Sequence, residues 1–217
     1  MWADRAQAIA REQPIGGGGT QVANWLAWLS CRAGRFREAH AYAAEAERQA
    51  RSEPFGAQLV TVLHTVGEVE RAMGGDRADE LFEEAEEAAR SLAIPHLLGT
   101  ALVGRAWVAL DAGEPVRATT LLKEALPVLQ LGDELMDSAL LAAAEIAFAT
   151  GRVPTAARFL GAARKAFTAL TETYEVARAD QLHERLAAAL GTAALEAEFA
   201  TGASADSEEL TSLLDER

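Results

Sequence analysis

The sequence predicts an all-α protein made of antiparallel helical hairpins, and two observations support this fold class. The first is a short glycine turn that recurs with spacings of 40, 39 and 38 residues, a period typical of stacked helical hairpins. The second is composition, because half of the residues are apolar and Ala and Leu predominate over β-branched and aromatic residues, which favours helices over strands. The turn glycines are Gly34, Gly74, Gly113 and Gly151.

The repeat divides the chain into a single helical-repeat domain with a leading segment, four hairpins and a capping section. The leading segment ends in four consecutive glycines without the Lys that a phosphate-binding loop needs, so it predicts a flexible connection. The last section breaks the period, as expected for the end of an array, where one face has no neighbouring repeat. The expected bounds are 1–19 for the leading helix and glycine-rich connection, 20–53, 54–93, 94–131 and 132–171 for the hairpins, and 172–217 for the C-terminal capping helices.

The first hairpin is expected to contain helices over 21–33 and about 36–51, separated by Gly34. Trp25 and Trp28 widen the apolar stripe of its first helix. Its second helix carries alanines at spacings of four, three and four, so it can lie close against its partner. These alanines are Ala39, Ala43, Ala46 and Ala50.

The second hairpin is expected over about 55–93, with its turn at Gly74. Its second helix is strongly acidic, yet Leu81 and Phe82 keep the inward stripe apolar. The glutamates are therefore expected on a solvated outer face. They are Glu80, Glu83, Glu84, Glu86 and Glu87.

The third hairpin begins at Pro95, a favourable first helical residue, and turns at Gly113. The fourth turns at Gly151 and continues to about residue 170. Beyond it we expect capping helices, each closed by a glycine or opened by a serine. Their expected bounds are 174–190, 193–200 with an end near Gly202, and a short acidic helix from Ser207.

Small residues recur at matching points when the four copies are aligned on the turn glycine. Seven residues before it stand Ala27, Gly67, Ala106 and Ala144, and the second helices repeat Ala39, Ala78, Ala118 and Ala156, then Ala46, Ala85, Ala125 and Ala163. Small residues in both helices, a glycine turn and a Pro after the second helix resemble the tetratricopeptide repeat. That resemblance implies a right-handed superhelix of about four hairpins with terminal capping helices.

The C-terminal region carries a second resemblance. The run from Ala156 to Ala163, Ala-Ala-Arg-Phe-Leu-Gly-Ala-Ala, is similar to a segment in the last hairpin of large LuxR-type signal-transduction ATPase transcriptional regulators. The alanine-rich helix ending at Gly191 and the acidic final helix are similar to that family's closing helices. In the family a nucleotide-binding module and often a helix-turn-helix flank the helical array. These 217 residues contain neither, so the ATPase and DNA-binding activities are not carried over.

Charge and composition restrict the partners that we expect. A formal net charge of −13 argues against direct contact with nucleic acid, which requires a basic face. No apolar run approaches the length of a membrane span, so no membrane contact is expected. A single cysteine cannot form an internal disulfide, which makes a cytoplasmic location the default.

The same alignment predicts a ligand-binding groove, because the first helices line the concave face of tetratricopeptide-like arrays. Six and ten residues before the turn glycines the chain places aromatic and polar side chains, which suit a small organic ligand or a peptide. The alternative is that Trp25, Trp28 and Trp107 only fill the core between hairpins. The predicted groove residues are Asn24, Trp28, His64, Glu68, Arg105, Trp107 and Glu145.

Glu145 and Arg105 depart most from the repeat. Glu145 interrupts an apolar helix, where an unpaired buried carboxylate would be costly, so it must face solvent, a cavity or a cation. Arg105 occupies a position that is apolar in the other units, so it is the partner that we expect for Glu145. The alternative is that both long side chains reach solvent.

No motif predicts an enzyme, a cofactor or a metal site. His64 and Glu68 lie four residues apart, which is compatible with acid-base chemistry but more typical of a surface charge cluster. The four histidines are dispersed, and Cys31 has no paired histidine motif, so it is expected to be a small buried apolar residue.

The sequence therefore predicts a non-catalytic sensor or interaction domain of a bacterial transcriptional regulator, which binds an effector or a protein in the concave groove. The alternative is a stand-alone tetratricopeptide-like scaffold, whose protein partner docks on the acidic outer helices at Glu83, Glu84 and Glu87. Self-association into a homo-oligomer is compatible with either hypothesis.

Overall fold

The computed structural model describes residues 19–52, 56–129, 136–167 and 173–215. The expected leading helix therefore lies outside the described residues. Within the described part the chain is all-α, as predicted, and none of its helices is long and apolar enough to cross a membrane. Contacts divide the chain into two compact units, Met1–Gly104 and Arg105–Arg217. The prediction of a single continuous repeat domain stays a prediction.

The helices are α1 Gly19–Arg32, α2 Phe36–Ser52, α3 Ala57–Ala72, α4 Ala78–Leu92, α5 Pro95–Asp111, α6 Pro115–Ala125, α7 Met136–Ala149, α8 Val153–Ala166, α9 Thr173–Leu190, α10 Thr192–Ser204 and α11 Ser207–Leu213. A short 3₁₀ turn, Leu126–Val128, follows α6. The bounds of the first eight helices agree to within a few residues with the helices expected in the four hairpins. The last three helices lie in the section that we expect to cap the array.

The four turn glycines end helices in the same way. Each has a positive φ, between 69° and 79°, which a residue without a Cβ adopts without strain. In each turn the N–H after the glycine donates to a carbonyl five residues earlier, as Arg35 does to Ser30 at 2.8 Å. This hydrogen bond closes the helix and reverses the chain, so the repeat turn seen in the sequence has one backbone geometry.

In the first unit, α1 packs on α2, α3 packs on α4, and α3 also contacts α1 and α2. The repeated alanines of α2 and α4 lie in the core, as their spacing predicts. Phe82 of α4 fills a space between two glycines, because a Cβ on Gly67 or Gly104 would come within 3 Å of its ring. Small residues therefore make room for one large aromatic side chain.

In the second unit, α7 packs on α6 and α8, and the capping helices α9 and α10 pack on α8. Gly161 of α8 and Gly202 of α10 let these helices approach backbone to backbone. A Cβ on Gly202 would lie 1.8 Å from the carbonyl oxygen of Arg158. The helix ends at Ser204, close to the end expected near Gly202, and this glycine lies within the helix, where it allows the close packing.

Candidate functional site

The seven predicted groove residues are divided between the two units. Asn24, Trp107 and Glu145 are buried, and the other four are half-buried. The first unit holds Asn24, Trp28, His64 and Glu68, and the second holds Arg105, Trp107 and Glu145.

Asn24 and His64 occupy equivalent positions, ten residues before the turn glycine, on the contacting helices α1 and α3. Asn24 is 9% exposed. Its Oδ1 atom and the Nδ1 atom of His64 are buried and have no hydrogen-bond partner among the described residues. Buried polar atoms are hydrogen-bonded in most folded proteins, to protein, water or a ligand. These two atoms are therefore positions at which a bound molecule can form hydrogen bonds.

The surroundings of His64 favour the neutral imidazole. Its ring lies 5.5 Å from the ring of Phe82, measured between centroids. Burial lowers the pKa of His64 below its ordinary value, with the charge of Glu68 opposing the shift and that of Arg71 adding to it. At neutral pH the ring can therefore offer either a donor or an acceptor to a ligand.

Glu68 and Trp28, the residues six before the turn glycines, interact within their own helices. Glu68 pairs with Arg71 at 3.1 Å, and both side chains are largely buried. Trp28 is half-buried beneath the guanidinium of Arg32, which lies 4.4 Å from its ring centroid. It also meets Trp25 edge to face at 5.3 Å. Trp25 is exposed, so it is not a core residue.

Glu145 is buried in the second unit and faces two cations, one of the three surroundings that its sequence position required. Its Oε1 accepts a hydrogen bond from Arg178 Nε at 3.1 Å, and its Oε2 accepts one from Arg185 Nη1 at 3.4 Å. Both arginines belong to α9. The expected pairing with Arg105 is thus corrected, since both carboxylate oxygens are bound by a capping helix.

Trp107 is also held by α9. Its indole Nε1 donates to Ser138 Oγ at 2.8 Å, and Ser138 Oγ donates to Glu175 Oε1 at 2.5 Å. The Arg178 guanidinium lies 4.6 Å from the Trp107 ring centroid. An open groove at Trp107 and Glu145 was expected from the repeat. The structure corrects this, because α9 lies over both side chains.

The acidic outer helix α4 forms ion pairs within the chain. Glu83 and Glu87 are exposed, whereas Glu84 accepts two hydrogen bonds from Arg51 of α2, each of 2.7 Å. The hydrogen bonds from Arg51 hold the pKa of Glu84 below its ordinary value. Part of the acidity of α4 is therefore neutralised within the chain.

The remaining sequence interpretations concern metal and thiol chemistry. Cys31 is buried, as expected for a small apolar residue. In the described ranges no group of three or more His, Cys, Asp or Glu side chains is arranged to hold a metal ion.

Sequence reasoning missed Ser138, Glu175, Arg178 and Arg185. A usable signal was present, because Arg178 and Arg185 stand seven residues apart on one face of a helix, and Glu145 required a cation. No protein-family model, curated protein or solved structure matches this chain.

Proposed function

We propose that this chain is a non-catalytic sensor or interaction domain of a bacterial transcriptional regulator in the cytoplasm. It binds an effector or a protein partner in the concave groove of a right-handed, tetratricopeptide-like superhelix. The observation that carries this proposal is a pair of buried polar atoms in the first unit, Asn24 Oδ1 and His64 Nδ1. Neither atom has a hydrogen-bond partner among the described residues.

The energetics of these atoms favour a binding role. Leaving a buried polar group without a hydrogen bond costs about 1–3 kcal/mol. Asn24 and His64 carry this cost at equivalent positions of successive hairpins, whereas Leu141 provides an apolar side chain at the same position of the fourth. A polar ligand that satisfies both atoms would recover the cost on binding.

The neighbouring side chains favour a small polar effector with an apolar or aromatic portion. Asn24 offers an amide that donates and accepts, and His64 offers a neutral imidazole. Trp28 and Trp25 present aromatic surface on α1, the helix that carries Asn24. Few polar groups amid apolar surface are typical of small-molecule sites.

A thermal-shift screen of amino acids, nucleosides, sugars and short peptides tests the proposal. At one hundred times its dissociation constant a ligand adds about 2.7 kcal/mol, so the melting temperature should rise by several degrees. Asn24→Leu is expected to remove this response while leaving the apo protein as stable as the wild type or slightly more stable, since no buried amide remains unsatisfied.

Ser30→Ala is the matched control. Ser30 Oγ is also buried without a partner among the described residues, but it does not stand at a groove position. This variant should keep the full ligand response. The proposal is overturned if no compound raises the melting temperature, or if Asn24→Leu responds as strongly as Ser30→Ala.

The stand-alone scaffold is a second candidate because Glu83 and Glu87 remain exposed on α4. Partner binding at this face should weaken strongly with added salt, whereas a desolvated groove ligand should respond little. A pulled-down partner whose binding is insensitive to Glu83→Gln and Glu87→Gln would exclude this face.

A further inference from the structure

We propose that the effector of the first unit presents N–H donors to Asn24 and His64, as an amidine, a guanidine or a primary amide does, and that carboxylates and phosphates are rejected there. The inference rests on the proposed function and deepens it, because it names the chemical class of the ligand. Asn24 Oδ1 and His64 Nδ1 are called the acceptor pair below.

Asn24 contributes an atom that only accepts hydrogen bonds. Its Oδ1 is buried without a partner among the described residues, and an amide oxygen has lone pairs but no hydrogen. Turning the amide over would bury the NH₂ group at the same point, and buried donors without a partner are rarer in proteins than buried acceptors. A ligand group that satisfies Asn24 must therefore donate.

His64 contributes a second acceptor. A neutral imidazole carries its proton on either Nδ1 or Nε2. Nδ1 is buried without a partner among the described residues, whereas Nε2 is not one of those atoms. A proton on Nδ1 would create a buried N–H without an acceptor, which native proteins tolerate less well than an unsatisfied lone pair. We therefore expect the proton on Nε2 and a lone pair on Nδ1 in the unliganded protein.

Ligand groups that only accept hydrogen bonds are rejected by this arrangement. At neutral pH a carboxylate would place its lone pairs against those of the acceptor pair, so neither atom would gain a hydrogen bond. Phe82, whose ring centroid lies 5.5 Å from that of His64, has no polar group that could compensate. Burying an anion without hydrogen bonds is costly, so phosphates are rejected for the same reason.

The charges around His64 favour a cationic donor. Burial is the main cause that lowers the pKa of His64, and the charge of Glu68 opposes this shift more strongly than that of Arg71 adds to it. These two charges together therefore favour a positive charge beside the ring. The formal net charge of −13 acts in the same direction over longer distances. An amidinium, which is cationic and only donates, meets both requirements.

Four probes of nearly the same shape separate hydrogen bonding from charge. Benzamidine only donates and is cationic, benzamide donates from its NH₂ group, acetophenone is neutral without a donor, and benzoate only accepts and is anionic. Each is titrated into the ¹⁵N-labelled full chain at pH 7.5, and dissociation constants are taken from the backbone amide shifts of α1 and α3. Benzamide should bind at least about fivefold more tightly than acetophenone, which leaves the buried acceptors unsatisfied. Benzamidine should bind at least about tenfold more tightly than benzoate.

Asn24→Leu locates this preference at the acceptor pair. The variant should lower the affinity for benzamide about fivefold and leave that for acetophenone unchanged, since only benzamide donates to Oδ1. His64→Phe keeps an aromatic ring but has no Nδ1, so it should act in the same way, and it replaces Asn24→Leu if circular dichroism shows that variant to be unfolded. Ser30→Ala, which removes a third buried atom without a partner among the described residues, should bind all four probes as the wild type does.

The tautomer of His64 is tested without a ligand. Long-range ¹H–¹⁵N correlation spectra, assigned by comparison with His64→Phe, distinguish a protonated from an unprotonated ring nitrogen. At pH 7.5 they should show a proton on Nε2 and none on Nδ1. A protonated Nδ1 overturns the inference, whichever ligand binds.

The inference is also overturned if benzoate binds as tightly as benzamidine, or if benzamide and acetophenone bind equally well. If Asn24→Leu abolishes that benzoate binding, the site itself exists and the effector proposal stands without this inference. If neither the four probes nor any compound of the thermal-shift screen binds, the effector proposal fails and this inference fails with it, even when His64 has the expected tautomer.

Discussion

Each unit has two turn glycines, and the residue six positions before the turn is a tryptophan in the first case and a glutamate in the second. The two units differ in which side chains contact this tryptophan and this glutamate. In the first unit, Trp28 and Glu68 interact with Arg32 and Arg71 of their own helices. In the second, Trp107 and Glu145 are bound by Arg178, which comes from a capping helix. The same repeat position therefore supports local pairing in one unit and helix docking in the other.

The units also differ in how their buried polar groups are satisfied. Within the described residues, the buried side-chain polar atoms that have no hydrogen-bond partner all belong to the first unit. In the second unit, the buried Ser138 accepts a hydrogen bond from Trp107 and donates one to Glu175, so its hydroxyl is satisfied. A capping helix thus provides in the second unit the hydrogen bonds that, in our proposal, a ligand provides in the first.

The largest expected effect concerns backbone contact between helices. Gly202→Ala in the second unit places a Cβ 1.8 Å from a backbone oxygen that cannot move alone, so about 3 kcal/mol of unfolding free energy should be lost. Gly67→Ala in the first unit meets only the Phe82 ring, at 2.8 Å. Its cost should be about 1 kcal/mol, since alanine's helix propensity offsets part of the strain. Urea unfolding followed by circular dichroism measures both, and equal losses would contradict the difference.

Replacing Glu68 and Glu145 in turn compares the stability contributed by an ion pair within one helix with that contributed by ion pairs between helices. Glu68→Gln should cost about 2–3 kcal/mol, because it removes a charge partner from a largely buried arginine. Glu145→Gln should cost about 1–2 kcal/mol, because both of its arginines keep contact with water. Amide hydrogen exchange in α9 should become faster in Glu145→Gln but not in Glu68→Gln. Unchanged exchange in α9 would mean that its arginines do not hold it in place.

The pH dependence of stability should be centred on His64. Because burial lowers its pKa below 6.5, the unfolded chain binds a proton that the folded chain does not, in the range between the lowered pKa and 6.5. Stability is therefore complete above about pH 6.5 and falls below it, with a slope of at most about 1.4 kcal/mol per pH unit. Urea midpoints at pH 7.5 and 5.5 should reveal this loss in the wild type.

His64→Gln should remove that pH dependence, whereas His96→Gln, which removes an exposed histidine, should retain it. If His64→Gln loses stability between pH 7.5 and 5.5 as the wild type does, the protonation responsible lies elsewhere.

The smallest expected effect is at the surface of the first unit. Glu84 and Arg51 are both about 40% exposed despite their two short hydrogen bonds, so Glu84→Gln should cost about 0.5 kcal/mol. The pKa of Glu84 is lowered from 4.5, so the contribution is present above that pH and is lost only as the pH falls below it. Urea unfolding at pH 7 and pH 3.5 measures both values. A cost above that of Glu145→Gln would reverse the expected order.

The repeat could be predicted from the sequence because its signals are local. Gly34 and its three equivalents need a positive φ, and the repeated alanines need space, so spacing alone identifies them. The partner of Glu145 could not be found in this way, because Arg178 and Arg185 lie where the period is broken. The packing role of Gly202 could not be predicted either, because it depends on the backbone of Arg158, which is distant in sequence.

The four tryptophans allow one direct test of the central claim, that the first unit binds a ligand while α9 fills the corresponding positions of the second. Indole ¹H–¹⁵N signals can be assigned with single Trp→Phe variants and followed during titration with each compound that raises the melting temperature. The account predicts shifts of the Trp28 and Trp25 signals and an unchanged Trp107 signal, whose N–H is bonded to Ser138. A shift of Trp107 with Trp28 and Trp25 unmoved would contradict it.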